Sequence, residues 1–588
     1  MTRAWCGVFI VASLLLQFPV QAQTDDGCAD MSNWTSIERK VWSALSGEDQ
    51  PGTSKNSNNA MQGQMLLGPE FLRQLLTCES LWSRLEPKGL VLKGAMVPGM
   101  IDLSFLEIPV RFVCINCLFE HFVARRSDWH RQFSLDGSKI MRGADFTRST
   151  FNRDFSAIGL QSDAGIKLDS IKVAHDLSLQ RTQIAGELSL RTASVGRTLR
   201  LDGAKLRALN ASGARITNQM ILSGIKISRR AVLDRIYIGG DLLLRTYVNG
   251  PKPVIGQPSS DDTQSTPITV INLNIARIDG RLEIASARIH GAMSLDAIRV
   301  GEDIWIRDGS EVSGRIDMSF ARIGQNLDLS TTRLGSDVDA TGATIGGELR
   351  LGAYGNTRLT APVWARSSRL ILRNASSSAW LDSARGASAT AEACRSADRL
   401  FGPWPCGIDV IGFSYARIGG LGGGTEFQRS ADWYLDWLKR QQPFSLDPYR
   451  RLADYLQNNG RDASARTVRF AGKEAQLENA SGLDWVLLFL QKIFVGYGIF
   501  TGFVFVWMTA LVGVGAAVFS RSPEARNSEI PISFAYSTDM LLPFVQLRPR
   551  HDDIDFSGSI RYYLYFHKFM GWVCALFFVS ALGGLFEV

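Results

Sequence analysis

The sequence lacks long runs of charge of one sign. Nowhere in its 588 residues do five like charges follow one another, and 64 Lys and Arg against 57 Asp and Glu leave a net charge of +7. Over this length, the excess of positive charge is too small to form the basic cluster of a nucleic-acid-binding protein. No nucleic-acid partner is therefore expected. With 45% apolar residues the chain is also too apolar for intrinsic disorder, and its 55 glycines fall far short of collagen's glycine content.

The sequence also lacks the short motifs of several enzyme classes. Its six histidines show no HExxH spacing, and no Gly-x-Ser-x-Gly elbow is present. The glycine run at 419–424 lacks the Lys-Ser/Thr ending of a phosphate-binding loop and is interpreted as a hinge. No residue is therefore assigned as catalytic, cofactor-binding or metal-binding, and no cofactor is expected.

Cysteine is scarce, with 8 in the whole chain. If the protein is exported, as its N-terminus indicates, its cysteines lie in an oxidising compartment where they could pair. We predict a disulfide between Cys394 and Cys406. Cys114 and Cys117 have the spacing of a redox dithiol or of half a zinc site. No helix start beside them would lower a thiol pKa, so cysteines that are packed or bonded to external partners are favoured.

What the sequence does contain is an internal period of eleven residues. Apolar residues recur at this spacing, with two slips of one residue and one interruption. The series comprises Val173, Ile184, Val195, Leu206, Ile216, Ile227, Ile238, Ile278, Ile289, Val300, Val312, Ile323, Leu334 and Ile345. In most units two more apolar residues follow four and six positions later, as Leu188 and Leu190 follow Ile184.

A period of eleven also fits a right-handed coiled coil, so helix and strand have to be compared. The apolar pairs are two residues apart, which places them on one face of a strand but nearly on opposite faces of a helix. Glycines such as Gly280 and Gly324 recur between the pairs; each would cost a helix about 1 kcal/mol, whereas a corner needs them. Two units, about 22 residues, would make one four-sided coil. The predicted fold class is an all-β solenoid, or β-helix, with helical caps and a C-terminal two-helix transmembrane module.

The repeat units resemble those of pentapeptide-repeat proteins, which form quadrilateral β-helices. The segment Gly-Ala-Thr-Ile-Gly-Gly-Glu-Leu-Arg-Leu at 342–351 is an example, although the unit here has eleven residues rather than two fives. The resemblance covers roughly 89–424 and implies a scaffold, an inhibitor or a binding surface. Around 93–104 the chain also resembles a group of bacterial membrane-anchored repeat proteins. Some of that group are labelled oxidoreductases, but these residues show no redox chemistry.

The regions outside the period supply the remaining predicted domains. Residues 1–22 are predicted to be a secretory signal peptide, because a short apolar stretch ends in small residues. The segment 23–88 has helical spacing and is predicted to cap the first coil of the solenoid, which occupies 89–424. A stretch rich in Pro, Ser and Asp at 249–266 is predicted to be a loop inserted in one coil. A helical hairpin is predicted at 425–483, where it would cap the last coil.

The final segment, 484–588, is predicted to be a membrane module. Residues 494–519 hold 26 positions without a charge, about 39 Å as a helix, and 569–586 form a second apolar run. A signal peptide places the solenoid outside the cytoplasm, and the basic residues fall in the loop between the two spans, as the positive-inside rule requires. We therefore predict a protein of the bacterial inner membrane, with the solenoid on the periplasmic side and the short C-terminus also outside.

The loop between the two predicted spans contains an apolar segment at 530–547 that is too short to cross a bilayer. It has no potassium-filter sequence, and the predicted topology places it inside the cell. We therefore predict an amphipathic segment on the cytoplasmic leaflet, with Asp539 exposed to water or bonded locally.

Carboxylates recur along the predicted solenoid, and they bear on function. A row of them could supply the acid/base pair of a glycan-cleaving β-helix enzyme, but arginines at equivalent positions favour a solvated face of mixed charge. The carboxylates in question include Asp241, Glu283, Asp303, Asp317, Asp328 and Glu348. The leading hypothesis is a scaffold or recognition surface for an envelope protein or glycan, anchored in the lipid bilayer. The alternatives are a polysaccharide-active enzyme and an oligomeric pore-associated protein, and small residues in the spans leave a homo-oligomer open.

Overall fold

The computed structural model describes residues 31–47, 65–85, 87–246, 250–257, 269–352, 361–382, 394, 399–421, 429–499, 502–524, 534–542 and 547–582. The chain divides into two compact units, Met1–Arg197 and Thr198–Val588, and each unit contains a parallel β-solenoid. The coils number about 11, with about 22 residues per turn, so the predicted solenoid is confirmed. The predicted signal peptide, 1–22, lies outside the described residues.

The first unit contributes very short strands to two sheets. One sheet contains Met65–Leu66, Ala95–Asp102, Leu118–Val123, Lys139–Ile140, Ala144–Asp145, Gln161–Ser162, Ile166–Lys167 and Gln183–Ser189. The other contains Leu90–Lys93, Glu107–Ile108, Phe112–Ile115, Asp128–Trp129, Phe133–Ser134, Thr150–Phe151, Phe155–Ser156, Lys172–Val173, Leu177–Ser178 and Ser194–Val195.

The second unit repeats this arrangement. One of its sheets contains Lys205–Asn210, Lys226–Ile227, Ala231–Val232, Val254–Ile255, Thr269–Asn272, Arg288–Ile289, Ala292–Ser294, Glu311–Val312, Ile316–Asp317, Arg333–Leu334, Val338–Asp339, Val363–Ala365, Arg369–Ile371, Arg399–Phe401 and Gly407–Asp409. The other contains Leu199–Arg200, Arg215–Ile216, Met220–Ile221, Tyr237–Ile238, Leu242–Arg245, Arg277–Ile278, Leu282–Ala285, Arg299–Val300, Ile304–Arg307, Arg322–Ile323, Leu327–Asp328, Thr344–Arg350, Ser376–Leu381 and Ser414–Ile418.

The eleven-residue period produces the register of these ladders. Ile278 pairs in parallel with Val300, and Val300 with Ile323, so that one apolar side chain lies above the next in successive coils. All fourteen apolar positions of the predicted series are at most 4% exposed. The residue before each of them faces outward, because successive side chains of a strand point to opposite faces. The predicted inward stacking is therefore confirmed.

The glycines between the apolar pairs have a different role from the one predicted. They were expected because a corner needs glycine, but Gly301 and Gly324 are not among the residues with positive φ. A Cβ on Gly324 would lie 1.9 Å from the carbonyl oxygen of Gly301 in the preceding coil, so glycine allows the coils to approach each other. The left-handed corners belong instead to other glycines, such as Gly342, and to residues such as Arg148 and Phe320.

Helices precede the solenoid in the first unit. They are α1, Ser36–Ser46, α2, Pro69–Thr77, and α3, Glu79–Trp82, with 3-10 turns at Met31–Asn33 and Ser83–Leu85. A capping box formed by Thr35 and Glu38 starts α1. The Glu38 carboxylate also accepts a hydrogen bond from the backbone N–H of Gly68, 2.7 Å away, which ties α1 to the start of α2. The neighbouring strand Met65–Leu66 pairs with Ala95 and Met96, so this segment extends the first coil.

The insertion predicted at 249–266 begins later than expected. Val254 and Ile255 form a strand that pairs with Lys226 and Ile227 on one side and with Arg288 and Ile289 on the other. This part of the prediction is wrong, because the apolar pair Val254–Ile255 keeps the register of the ladder despite the prolines around it. Residues 258–266 lie outside the described residues.

Helices follow the solenoid in the second unit. They are α4, Ala431–Leu438, α5, Asp447–Asn458, α6, Asp462–Asn479, α7, Gly482–Val495, α8, Gly502–Ser520, α9, Phe534–Leu541, and α10, Gly558–Leu582, with 3-10 turns at Gly496–Gly498 and Pro549–Asp553. Asp447 is the first residue of α5 and does not cap it. Its carboxylate accepts a hydrogen bond from the N–H of Gly412 at 2.7 Å, and Tyr455 accepts one from Ile418 at 3.2 Å. These bonds fasten α5 to the last coil.

The two predicted membrane spans, 494–519 and 569–586, differ from the helices that the structure contains. Gly496 and Tyr497 adopt left-handed conformations that separate α7 from α8. Among the described residues one helix, α8, is long and apolar enough to cross a membrane by length and composition. Part of the second run lies in α10, but that helix begins at Gly558 and its first half carries Arg561 and Lys568; the remainder, 583–586, lies outside the described residues. Apolar composition indicates neither the kink at Gly496 and Tyr497 nor the start of α10, which lies before its apolar part.

Candidate functional site

Several carboxylates of the solenoid rows form the corners of the coils. Asp317, Asp328 and Asp339 each accept a hydrogen bond from the backbone N–H two residues later, at 2.9 to 3.1 Å. This is the Asx turn, in which an aspartate side chain stabilises the bend that follows it. These carboxylates therefore have a structural role in the turns.

The remaining carboxylates of the predicted rows are also partnered. Asp241 accepts a hydrogen bond from the N–H of Arg281, and Asp303 accepts two from Asn326. Glu283 lies 3.6 Å from a guanidinium nitrogen of Arg245. Glu348, only 1% exposed, accepts a hydrogen bond from its neighbour Arg350 at 2.7 Å. The expected face of mixed charge exists, but several of its carboxylates are buried rather than solvated.

These bonds bear on the enzyme alternative, which a pair of carboxylates in one groove, unmatched by Arg or Lys, would support. Burial raises the pKa of Asp328 above its ordinary value despite hydrogen bonds from Ser330, a property that suits a general acid. However, Asp328 lies 3.6 Å from Arg307, and Glu283 is similarly matched by Arg245. Among the residues that the structure describes, no group of three or more His, Cys, Asp or Glu could hold a metal ion. The arrangement of these carboxylates therefore does not support the alternative of a polysaccharide-active enzyme.

The first unit has an open groove along one corner of its solenoid, which we call the arginine groove. Its volume is about 670 Å³. It is lined by Phe105, Arg125, Arg126, Thr147, Arg148, Asp169, Ser170, Arg191 and Thr192. Four of these nine side chains are arginines and only one is acidic.

The corner geometry creates this groove. Phe105, Arg126, Arg148, Ser170 and Thr192 all have positive φ, between 51° and 62°, and they occupy equivalent places in successive coils. Left-handed backbone costs about 1 to 2 kcal/mol at a residue other than glycine, so each position is held by the turns around it. Because neighbouring strands lie about 4.8 Å apart, the five side chains form a regular column on the surface.

Two arginines of the groove are paired and two are not. Arg125 lies 2.8 Å from Asp145, and Arg191 lies 2.6 Å from Asp169. Burial alone would raise the pKa of Asp145, but hydrogen bonds from Thr147 and the Arg125 guanidinium outweigh it and lower the pKa. The pKa of Asp169 is likewise lowered, by hydrogen bonds from Arg191 and Ser189 that outweigh its burial. Both aspartates are thus ionised and compensate the two arginines beside them.

Arg126 and Arg148 have no ion-pair partner in the described part of the chain. Both are exposed, and the Arg126 guanidinium lies 5.5 Å from the centre of the Phe105 ring, which is itself 70% exposed. An unpaired guanidinium binds carboxylate, sulfate or phosphate groups with two parallel hydrogen bonds. The groove therefore combines two free anion-binding groups with an exposed ring and with hydroxyl groups. This combination suits the binding of an anion.

A second cluster of arginines, in the other unit, is paired with an aromatic ring and with carboxylates. Trp305 lies between Arg281 and Arg307, whose guanidinium carbons are 4.6 and 3.8 Å from its ring. Glu283 and Asp328 flank Trp305 in the same ladder. Because the cations are stacked on the ring and faced by acids, this cluster stabilises the coil rather than offering free groups.

The cysteines are arranged as follows. Cys394 and Cys406 are disulfide-bonded, the pairing that the sequence analysis proposed. Cys114 and Cys117 are bonded to each other, which differs from the expected packed or externally paired cysteines. Their Cα atoms are 5.8 Å apart within one coil, a separation that allows a disulfide across the intervening turn.

A buried Asp–His pair lies among the C-terminal helices. Asp539 accepts hydrogen bonds from the N–H groups of Leu547 and Arg548 and lies 2.8 Å from Nδ1 of His551. Burial raises the pKa of Asp539, but these three donors outweigh it and keep the carboxyl ionised. The segment was predicted to lie on a membrane leaflet, whereas Tyr536 and its neighbours pack against Phe519. Asp539 is bonded locally, which was one of the two expected alternatives.

The structural class of this protein is a parallel β-solenoid followed by α-helices. The chain matches no family model, and neither a curated protein nor a solved structure is similar to it. The resemblance to pentapeptide-repeat proteins therefore holds for the solenoid architecture, and membership of that family or of the membrane-anchored group has no support from a family model.

The arginine groove was not predicted from the sequence, although the sequence contains a signal for it. Phe105, Arg126, Arg148, Ser170 and Thr192 recur every 21 or 22 residues, at the same place in each coil. Their exposure depends on the left-handed turn, and arginine is not a residue that marks such a turn in a sequence. The spacing alone could therefore have located a column of side chains, but it could not have shown that these side chains point into solvent.

Proposed function

We propose that this protein is a cell-envelope scaffold or recognition protein of the bacterial inner membrane. Its solenoid would lie on the periplasmic side, where the arginine groove binds an extended anionic partner such as an acidic glycan. The C-terminal helices anchor it in the lipid bilayer, with the short C-terminus also outside. Arg126 and Arg148 carry the proposal, because they are exposed cations without an ion-pair partner among the described residues.

The distribution of exposed apolar side chains supports the anchor. Twenty of the thirty large apolar side chains that are exposed in the described residues lie between Leu483 and Val579. In the most apolar part of α8 only 22% is buried inside the structure, unlike the core helix of a soluble protein. A helix of 19 residues is about 28 Å long, close to the apolar thickness of a bilayer. Contact with lipid would cover these side chains.

The binding experiment uses the full-length protein in detergent with polygalacturonate as an anionic glycan and dextran as a neutral one. The variant Arg126→Gln/Arg148→Gln removes both unpaired charges, and we expect its affinity for polygalacturonate to fall at least tenfold. The control Arg153→Gln/Arg181→Gln removes two exposed arginines that do not line the groove, and Arg181 has the same left-handed backbone. Equal loss in both variants, or no loss in the first, would refute a specific role for the groove.

The anchor is tested separately by extracting bacterial membranes with alkaline carbonate. We expect the protein to remain in the pellet, and Val506→Lys/Val514→Lys to be released. Each Lys costs about 3 kcal/mol near the middle of a membrane helix, and both valines are exposed in the structure. The control Ile275→Lys/Phe320→Lys changes exposed side chains of the solenoid and should stay in the pellet. Release of the unaltered protein would contradict the proposed anchor.

The predicted side of the membrane is tested by protease treatment of spheroplasts. If the solenoid is periplasmic, proteinase K digests it without lysis of the cells. Protection of the solenoid until the cells are lysed would contradict the proposed orientation and leave the groove experiment unaffected.

A further inference from the structure

A basic pocket lies between helices α5 and α6. The residues that precede the apolar helix α8 also line it. We call it the hairpin pocket; its volume is about 360 Å³. Arg450 lines it from α5, and Arg466, Arg469 and Lys473 line it from α6. These four cations lie on facing helices of one hairpin, so they converge on the same space.

The negative charge in the pocket compensates only one of the four cations. Asp454 is its only lining carboxylate, and Arg469 donates to it at 3.0 Å and to Gln457 at 2.6 Å. Arg450, Arg466 and Lys473 have no ion-pair partner in the described part of the chain. Three unpaired positive charges around one cavity repel each other, and a bound anion would relieve that repulsion.

The pKa of Lys473 is affected by its burial and by this crowding. Burial lowers the pKa of Lys473 below its ordinary value, and the positive charge of Arg450 lowers it further. A bound anion would act in the opposite direction and favour the ammonium form. The same geometry that crowds the cations thus provides a preformed site for negative charge.

The other wall of the hairpin pocket belongs to the kink between α7 and α8. Tyr497, Gly498 and Ile499 line this wall, and α8 begins three residues later at Gly502. Exposed apolar side chains follow on α8, including Phe503 and Phe505. A ligand seated among the cations would therefore have an apolar surface directly beside it.

From this arrangement we infer that the hairpin pocket binds the phosphate headgroup of an anionic phospholipid, with the acyl chains lying along α8. The inference rests on the proposed membrane anchoring. Guanidinium groups hold phosphate with paired hydrogen bonds, and basic pockets beside membrane helices are suited to anionic headgroups. An inorganic phosphate ion also carries negative charge but has no acyl chain, so the exposed apolar side chains of α8 favour the lipid.

The experiment titrates the full-length protein in detergent and measures binding by calorimetry. Three probes are compared: dihexanoyl phosphatidylglycerol, which is anionic, dihexanoyl phosphatidylcholine, which has no net charge, and inorganic phosphate. We expect the phosphatidylglycerol to bind at least tenfold more tightly than either of the others. The variant Arg466→Gln/Lys473→Gln should weaken that binding at least tenfold, because it removes two of the unpaired charges.

The matched control is Lys439→Gln/Arg322→Gln, which removes two exposed cations that do not line the pocket and have no ion-pair partner among the described residues. It should bind phosphatidylglycerol as the unaltered protein does. Inorganic phosphate binding as tightly as phosphatidylglycerol would overturn the lipid as the ligand. Unchanged affinity in the pocket variant would overturn the site.

Failure of the inference can be distinguished from failure of the anchor. The titration is done in detergent and needs no bilayer, whereas the anchor is judged by carbonate extraction. A protein that remains in the carbonate pellet but does not bind phosphatidylglycerol refutes the pocket alone. One that binds the lipid but is extracted refutes the membrane anchor.

Discussion

The glycine column of the second unit provides a stringent test of coil stacking. Gly301, Gly324 and Gly346 lie above one another in successive coils, and a Cβ on Gly324 would be 1.9 Å from the Gly301 carbonyl oxygen. Contacts of a Cβ closer than 3.0 Å are not tolerated, so the two coils would have to separate locally by more than 1 Å. Both glycines lie in bends directly after a paired strand, and the N–H of Gly324 is bonded to the carbonyl of Val300 in the neighbouring coil, which holds the backbone in place.

The expected cost follows from the hydrogen bonds that cross this contact. Gly324 donates to Val300 and Gln325 donates to Glu302, both at 2.9 Å. A separation of about 1 Å puts both bonds beyond the usual limit of about 3.2 Å. Two lost bonds at about 1 kcal/mol each, together with about 1 to 3 kcal/mol for overpacking, predict that Gly324→Ala destabilises the protein by about 3 kcal/mol or more.

The measurement is a urea titration of the full-length protein in detergent, followed by circular dichroism. Because solenoid coils can unfold locally, amide hydrogen exchange of 299–346 accompanies it. The control is Gly309→Ala: its φ is +73° but nothing lies within 4 Å of a new Cβ, so only the left-handed backbone is penalised, by about 1 to 2 kcal/mol. If Gly324→Ala shifts the midpoint no more than Gly309→Ala, the close approach of the coils is not what requires glycine there.

Three further predictions concern individual side chains. The pKa values of Asp145 and Asp169 are lower in the folded state than in the unfolded chain, so their stabilising effect is present above about pH 4 and is lost as the pH falls through the folded pKa. Urea midpoints measured on acidification should fall less for Asp145→Asn/Asp169→Asn than for the unaltered protein; an identical dependence would contradict this. Replacing both Cys114 and Cys117 with Ser removes a very short loop constraint of about 2 kcal/mol, and reductant should then shift the urea midpoint less than in the unaltered protein. Trp305→Leu removes the ring between two guanidinium groups and should lower the free energy of unfolding by about 1 to 2 kcal/mol, with Trp305→Phe in between; equal effects of the two variants would argue against cation–π stacking.

The candidate binding surfaces were less predictable than the fold. The hairpin at α5 and α6 was predicted from the sequence, but its pocket depends on which faces of the two helices meet. Arg450 and Lys473 are 23 positions apart in the sequence, and only the antiparallel packing brings them to one cavity. The same holds for Asp539 and His551, whose contact requires the chain to turn back after α9.

In the membrane module, too, some features could be predicted from the sequence and others could not. Apolar composition correctly identified α8 as a helix of membrane-spanning length, because hydropathy depends only on which residues are present. It did not place the break at Gly496 and Tyr497, because the apolar side chains continue through it. Nor did it show that Tyr536 would be buried against Phe519, since burial depends on neighbours that are distant in the sequence.

By itself the sequence determined the solenoid, its coil length and the side chains that fill it. Apolar pairs two residues apart and a repeat of eleven allow only short strands stacked in register, because side-chain direction in a strand alternates strictly. Only the tertiary structure decided what each outward residue does. The left-handed corners, the glycines that admit a neighbouring carbonyl, and the arginines left without a carboxylate all depend on the distance between one coil or helix and the next, which no local pattern specifies.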